Sequence, residues 1–194
     1  MPEMSRFEKR WVNRRGSRAY QRMLDRMENS GQLLLTNSSQ VLELGAGNGA
    51  FSMLILERFH PARVYLTDFD PEQLAVARQN LEGHFGTVPP SIVVERGDAT
   101  HLTYGDRTFD LVIAHHVLHH LGSISGILQG LDEIARVLRP GGRLLYVEMF
   151  HKRQIREHLA EQGFTVVFRE RSFRILGTAD VIIAKSPDSP APKR

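Results

Sequence analysis

The stretch Val41-Leu-Glu-Leu-Gly-Ala-Gly-Asn-Gly49 decides how this chain folds. Val41 to Leu44 is short and apolar, as a buried strand is, and the glycines at 45, 47 and 49 follow it without a spacer. A residue without a β-carbon can turn tightly and lets a ligand approach the backbone. The spacing therefore predicts strand one, a glycine turn, and a helix from about Ala50 to Phe59.

Working outward, Val64 to Thr67 reads as strand two, ending at Asp68. Pro71 then opens a helix to about Leu81, since a first-turn residue has no amide bond to lose. Gly83 to Pro90 reads as a loop, Ile92 to Glu95 as strand three and Phe109 to Ala114 as strand four. The spacing of Ile124, Ile127, Leu128, Leu131, Ile134, Ala135 and Leu138 predicts a long helix, stopped by Arg139-Pro140-Gly141-Gly142. Arg143 to Met149 is strand five, Lys152 to Gln162 a helix, Phe164 to Phe168 strand six and Ala179 to Ala184 strand seven. Short β-branched runs alternating with helical segments imply an α/β fold with a mainly parallel sheet covered on both faces. Residues 1–37 carry Phe7, Trp11, Tyr20, Met23, Leu24 and Met27 among charges, which predicts a helical cap; 38–185 form the main domain. The tail 186–194, with its prolines and basic end, is expected to be disordered.

A chain of 194 residues is long enough for one substantial core. No apolar stretch reaches the roughly 20 residues that span a bilayer, and Met1 to Val12 is too charged for a signal peptide, so a cytoplasmic protein is expected. The absence of cysteine removes disulfides, thiolate zinc sites and a cysteine nucleophile together. Enzymes that attack a pyrimidine ring through cysteine are disfavoured. Net charge is only +3, yet Arg6, Lys9, Arg10, Arg14, Arg15, Arg18, Arg22 and Arg26 crowd the start of the chain. That excess suits RNA, a peripheral membrane contact or an acidic substrate, and equally a solvated helix face.

The glycine spacing is GxGxG, whereas a dinucleotide fingerprint expects GxGxxG. Asp68, at the end of the next strand, can accept two hydrogen bonds from a ribose diol, worth roughly 1.5–3 kcal/mol each when charge-assisted. Glu43 is either an incidental strand-end residue or a ligand to a cofactor's amino acid end, or it organises the glycine loop. Asp98, in Gly97-Asp98-Ala99, reaches the same sheet edge, where it suits an adenine amino group or a helix N-cap. The set fits an adenosyl cofactor.

With these motifs, and with Phe109-Asp-Leu-Val-Ile-Ala114 followed by His115 and then Val137-Leu-Arg-Pro-Gly-Gly142, the chain resembles the class I, Rossmann-like S-adenosylmethionine-dependent methyltransferases over roughly Gln40 to Lys185. The resemblance implies a doubly wound seven-stranded sheet with its last strand antiparallel, and S-adenosylmethionine as cofactor with S-adenosylhomocysteine as product. It also implies that Glu43, Gly45, Ala46, Gly47 and Gly49 surround the methionine part, Asp68 the ribose hydroxyls and Phe69 an adenine face. Asp98 and Ala99 would meet the adenine edge, and His115 would sit beside the sulfonium.

For the acceptor side, His115-His116-Val117-Leu118-His119-His120 is the most unusual remaining feature. An imidazole can act as a base near neutral pH, and His116 and His119 are the candidates, with core or capping roles open for either. In a helical turn, pairs spaced by four would share a face. With no HExxH motif and no cysteine, however, a metal site is not expected. The asparagine-proline-proline-aromatic motif of methyltransferases acting on base or glutamine amines is absent. Glu148 ends strand five and either faces the substrate or is solvated. Almost no insertion separates it from the helix at Lys152, so the N-terminal helices, through Trp11 and Tyr20, or another subunit must supply a lid. A small-molecule or lipid-headgroup acceptor is the leading expectation. RNA or protein methylation, a non-catalytic partner subunit and a nicotinamide dehydrogenase are the alternatives.

Overall fold

The computed structural model describes residues 20–174 and 177–188, without side chains for 172–179. Its first element is a helix, α1, at 20–29. There follow β1 (Gln40–Leu44), α2 (Ala50–Phe59), β2 (Arg63–Asp68), α3 (Pro71–Phe85), β3 (Ile92–Arg96) and β4 (Phe109–His115). A single 3-10 turn, Leu118–Leu121, leads to α4 (Ile124–Val137), β5 (Leu138–Glu148), α5 (Lys152–Glu161), β6 (Thr165–Arg174) and β7 (Gly177–Lys185).

The strands form one seven-stranded sheet in the order β3-β2-β1-β4-β5-β7-β6. β1 to β5 run parallel, and β7 lies antiparallel between β5 and β6. This is the seven-stranded order with an antiparallel last strand that the resemblance implies. Chain direction across the sheet reverses between β1 and β4, which are neighbours paired Leu44 to Ala114. In open α/β sheets the crevice beyond the strand ends at such a point is where ligands bind.

Alternation along each strand divides the interior into two cores. Val41, Val64, Leu66, Leu111, Ile113, Leu145 and Val147 face α1 and α2. Leu42, Leu44, Val112, Ala114, Leu144 and Tyr146 face α4 and α5. In α1, Tyr20, Met23, Leu24 and Met27 recur at helical spacing and all point inward, so this helix contributes to the first core. Arg58 of α2 fastens it from outside, 2.6 Å from Asp25 and 2.5 Å from Glu28.

Several expectations need correction. The helix opened by Pro71 runs past Gly83 to Phe85, because Leu81 is fully buried and Phe85 packs on the first core, which outweighs the roughly 1 kcal/mol cost of a helical glycine. β5 begins at Leu138 rather than Arg143, since Leu138 already pairs with Phe109 before a bulge. β6 continues to Arg174 along β7. The histidine run does not share one helical turn: His115 remains in β4, and only His119 and His120 lie in the 3-10 turn that starts at Leu118. The expected disorder of the tail fails for Ser186 to Asp188. Ser186 is 4% exposed and bonds Gly142 O through its amide and Arg139 O through its hydroxyl, and Lys185 pairs with Asp188 at 2.6 Å. Trp11 and the basic residues before position 20, as well as 189–194, lie outside the described residues.

Candidate active site

The glycine loop leaves β1 at the sheet edge and is tied down by its neighbours. Ala46 donates its amide to Thr67 O at 2.9 Å, Gly49 to Ala46 O at 2.9 Å, and Gly47 to Asp68 Oδ2 at 2.9 Å. At Gly45, with φ +61°, an added β-carbon would lie 2.5 Å from Val117 Cγ2, so the loop packs directly under the segment that follows β4. At Gly47, with φ +55°, the nearest atom to such a carbon is Gln73 Oε1 at 3.8 Å, which leaves room for a ligand against the backbone.

Asp68 also accepts the Asp70 amide at 2.9 Å through Oδ1. Each carboxylate oxygen thus holds one backbone amide and keeps a lone pair for a diol. Burial raises the Asp68 carboxyl against the lowering influence of the Asp70, Gly47 and Phe69 amides. Phe69 is 40% exposed, with the Arg96 guanidinium 4.8 Å from its ring centroid. Asp98 caps no helix: its Oδ1 accepts the Thr100 amide and hydroxyl at 2.8 and 2.7 Å, a local turn that holds Ala99 in the second core. Glu43 turns inward, 3% exposed, to accept the Ser52 hydroxyl, while its carbonyl accepts Thr67 Oγ1 at 2.8 Å. Burial pushes its carboxyl up to about 7, only partly offset by Ser52. Glu43 thus ties the end of β1 to α2 through Ser52 and to β2 through Thr67. An adenosyl group with a ribose diol fits the arrangement: open backbone at Gly47, acceptors at Asp68, and a half-exposed ring at Phe69.

Across the crevice, His115 stands edge-on to Tyr20 at 4.9 Å and lies nearly parallel to Phe51 at 6.1 Å, so Tyr20 of α1 covers the end of β4. His116 adopts φ +55°, unusual for a side chain of its size, and its amide donates to Val147 O at 2.9 Å. This kink aims the chain toward the end of β5. There Glu148, 1% exposed, receives His119 Nδ1 at 2.8 and 3.0 Å from its two oxygens, the His119 amide at 3.3 Å and the Met149 amide at 2.8 Å. Burial works to raise the Glu148 carboxyl. The bond from His119, its charge and the Met149 amide outweigh burial and hold the carboxyl below the usual range. The solvated-strand-end reading of Glu148 is therefore overturned. Phe150, half exposed, lies 5.3 Å from His119.

His116 and His119 rings are 6.4 Å apart, and among the described residues no three metal-ligating side chains converge. Next to Glu148 in register stands Asp180, 2% exposed, bonded to Arg156 at 2.9 Å and Arg169 at 3.0 Å. Sequence reasoning missed this group. Its signal was a carboxylate inside the apolar run Ala179-Asp-Val-Ile-Ile-Ala184, which burial obliges to find cationic partners. The Tyr146 hydroxyl is buried without a hydrogen-bond partner. Burial raises its phenol, and it feels the charges of Arg156, Asp180, Arg169 and Glu148.

Residues 42–146 match the family model described as a methyltransferase domain. The chain is 34% identical over 119 residues to demethylmenaquinone methyltransferase of Deinococcus radiodurans, covering 61% of this chain and 46% of that protein. It is 31% identical over 151 residues to phthiotriol/phenolphthiotriol dimycocerosates methyltransferase 1 of Mycobacterium ulcerans, covering 77% of this chain and 49% of that protein. The chain thus spans about half the length of these curated relatives. In fold it is similar to the [4+2]-cyclase SpnF, with TM-score 0.73 and 17% identity over 87% of this chain and 82% of that one. Together the matched family model and the seven-stranded sheet order show that the chain belongs to the class I S-adenosylmethionine-dependent methyltransferases.

Proposed function

We propose that this chain transfers the methyl group of S-adenosylmethionine to an oxygen or nitrogen of a small-molecule or lipid-headgroup acceptor. When bound, S-adenosylmethionine supplies an electrophilic methyl group and leaves as S-adenosylhomocysteine. In this reading Asp68 holds the ribose hydroxyls, Phe69 one face of adenine, and Asp98 with the Ala99 amide its edge. Gly45, Ala46, Gly47 and Gly49 shape the backbone around the methionine part, Glu43 secures their loop from beneath, and His115 closes the sulfonium side under Tyr20.

The Glu148–His119 pair is the observation that carries the acceptor half. A carboxylate only accepts hydrogen bonds, so His119 Nδ1 carries a proton, and in the neutral ring the free lone pair is then on Nε2. That makes Nε2 a general base: it takes the O–H or N–H proton of the acceptor as the new bond to carbon forms, and Glu148 stabilises the resulting imidazolium. His116, held in its kink, orients the acceptor beside it. Residues 38–185 supply this catalytic domain, and α1 covers it. The relatives named for demethylmenaquinone and for phthiotriol/phenolphthiotriol dimycocerosates support a small or lipid acceptor. The fold alone does not choose the reaction, since SpnF, described as a cyclase, shares it.

Incubation with methyl-labelled S-adenosylmethionine and separated lipid, small-metabolite, RNA and protein pools tests the reading. Label should enter the lipid or metabolite pool and fall sharply in His119→Gln. Label confined to RNA or protein, or unaffected by His119→Gln, would overturn it.

A further inference from the structure

A second concavity, of about 610 Å³, opens between the start of α5 and the β6–β7 edge. Lys152, Arg153, Arg156, Arg169 and Arg171 line it, opposed there by Asp180 alone among carboxylates. Arg153 reaches out to Glu157 at 3.3 Å, and cations that outnumber the carboxylates around them repel one another, a cost that a bound anion relieves. Asp180 also fixes part of the set: buried in the wall, it binds one N–H group each of Arg156 and Arg169, leaving the rest of each guanidinium fork for another partner.

The α5 terminus reinforces this. The first turn of the helix contains no acidic residue, its N-cap His151 makes no side-chain cap bond, and Lys152 and Arg153 occupy its opening positions. Cations at the positive end of a helix are unfavourable by themselves and become favourable around a bound anion. The volume exceeds what a single inorganic ion needs and lies within the range of small-ligand sites.

The cleft adjoins the transfer centre. Asp180 is the register partner of Glu148, so both side chains stand on the α5 face of the sheet, about 5 Å apart along the ladder. His151, at the mouth of the cleft, follows Glu148 by only three positions. A molecule presenting its nucleophile to His119 can place a neighbouring anionic group in the cleft without leaving that face.

We propose that this cleft seats a phosphate group of the methyl acceptor, carried as a phosphate monoester or diphosphate. The inference rests on the reading of Glu148 and His119 as the transfer centre. The guanidinium groups match phosphate oxygens in paired hydrogen bonds, and the helix terminus adds backbone amides.

The test uses the whole protein and a variant, Lys152→Gln with Arg171→Gln, which leaves the Asp180 pairs intact. Titration with inorganic pyrophosphate should show saturable binding that weakens with salt and weakens about ten- to a hundredfold in the variant, with S-adenosylmethionine affinity unchanged. In the labelled-methyl assay, product should bind an anion-exchange resin and lose that retention after phosphatase or phosphodiesterase treatment. Partition into organic solvent identifies a lipid headgroup as the source, and recovery in the aqueous phase a soluble metabolite. The variant should raise the acceptor KM about tenfold or more with little change in kcat. Pyrophosphate binding that is absent, or equal in both proteins, overturns the inference, and so does label in a product that neither phosphatase nor phosphodiesterase changes. Label in no pool overturns the transfer reading itself, and the inference with it.

Discussion

Replacing Glu148 with Gln changes almost nothing in volume but removes the charge that organises His119. In the native arrangement two carboxylate oxygens accept one ring N–H at 2.8 and 3.0 Å and three backbone amides at 2.8, 3.3 and 3.4 Å. A glutamine offers a single acceptor oxygen to these donors and turns an N–H group toward at least one of them. A charge-assisted bond worth about 1.5–3 kcal/mol becomes a neutral one worth about 0.5–1.5 kcal/mol. The imidazolium formed in the transition state also loses its counter-charge in a site 1% exposed, where electrostatic effects are weakly screened. A combined loss of about 2–3 kcal/mol in transition-state stabilisation corresponds to a fall of about 30- to 150-fold in kcat. Single-turnover transfer to the acceptor pool that takes label, at saturating cofactor, reads that fall directly. S-adenosylmethionine affinity should stay within about twofold, because the carboxylate makes its bonds to the 3-10 turn and the start of the β5–α5 connection. A variant that folds, binds cofactor and keeps kcat within about threefold of wild type would refute the general-base assignment.

Other substitutions probe separate parts of the account. Asp68→Ala removes both acceptors offered to the ribose diol and one anchor of the glycine loop; calorimetric titration should show S-adenosylmethionine binding weakened by about 2–4 kcal/mol, and unchanged affinity would dismiss that role. Glu43 has its carboxyl raised from 4.5 to about 7, so the folded state holds this proton more tightly than the unfolded chain does. Its contribution is fully present below about pH 4.5 and is lost as pH rises through 7, about 3 kcal/mol at most. Urea unfolding of Glu43→Gln should accordingly lack that decline between pH 5 and 8, and parallel pH curves for variant and wild type would contradict it. Met27→Ala, at a fully buried position of α1, should cost about 2–5 kcal/mol in the same experiment; a loss under about 1 kcal/mol would mean that the helix is not part of the first core.

The cofactor half was legible because its signals are local. A strand, three spaced glycines and an acid at the next strand end all lie between Val41 and Asp68, and the backbone conformations at Gly45 and Gly47 are those that only glycine adopts without strain. The partner of Glu148 was not legible, because His119 lies 29 positions away and the pairing depends on how far β4 and β5 extend. The same applies to Asp180, whose arginines come from α5 and β6, and to Ser186, held by the Arg139–Gly142 turn. The histidine run divides between two elements: pairing of His115 with Val147 keeps the first histidine in the strand, and after the left-handed His116 the 3-10 turn from Leu118 holds His119 and His120.

The measurement that tests the central claim most directly is methyl transfer from labelled S-adenosylmethionine by the wild-type chain, with cofactor binding measured on the same preparation. The account predicts saturable S-adenosylmethionine binding and label in a lipid or small-metabolite product. Binding without transfer to any pool would contradict it, leaving a cofactor-holding fold whose chemistry is not methylation.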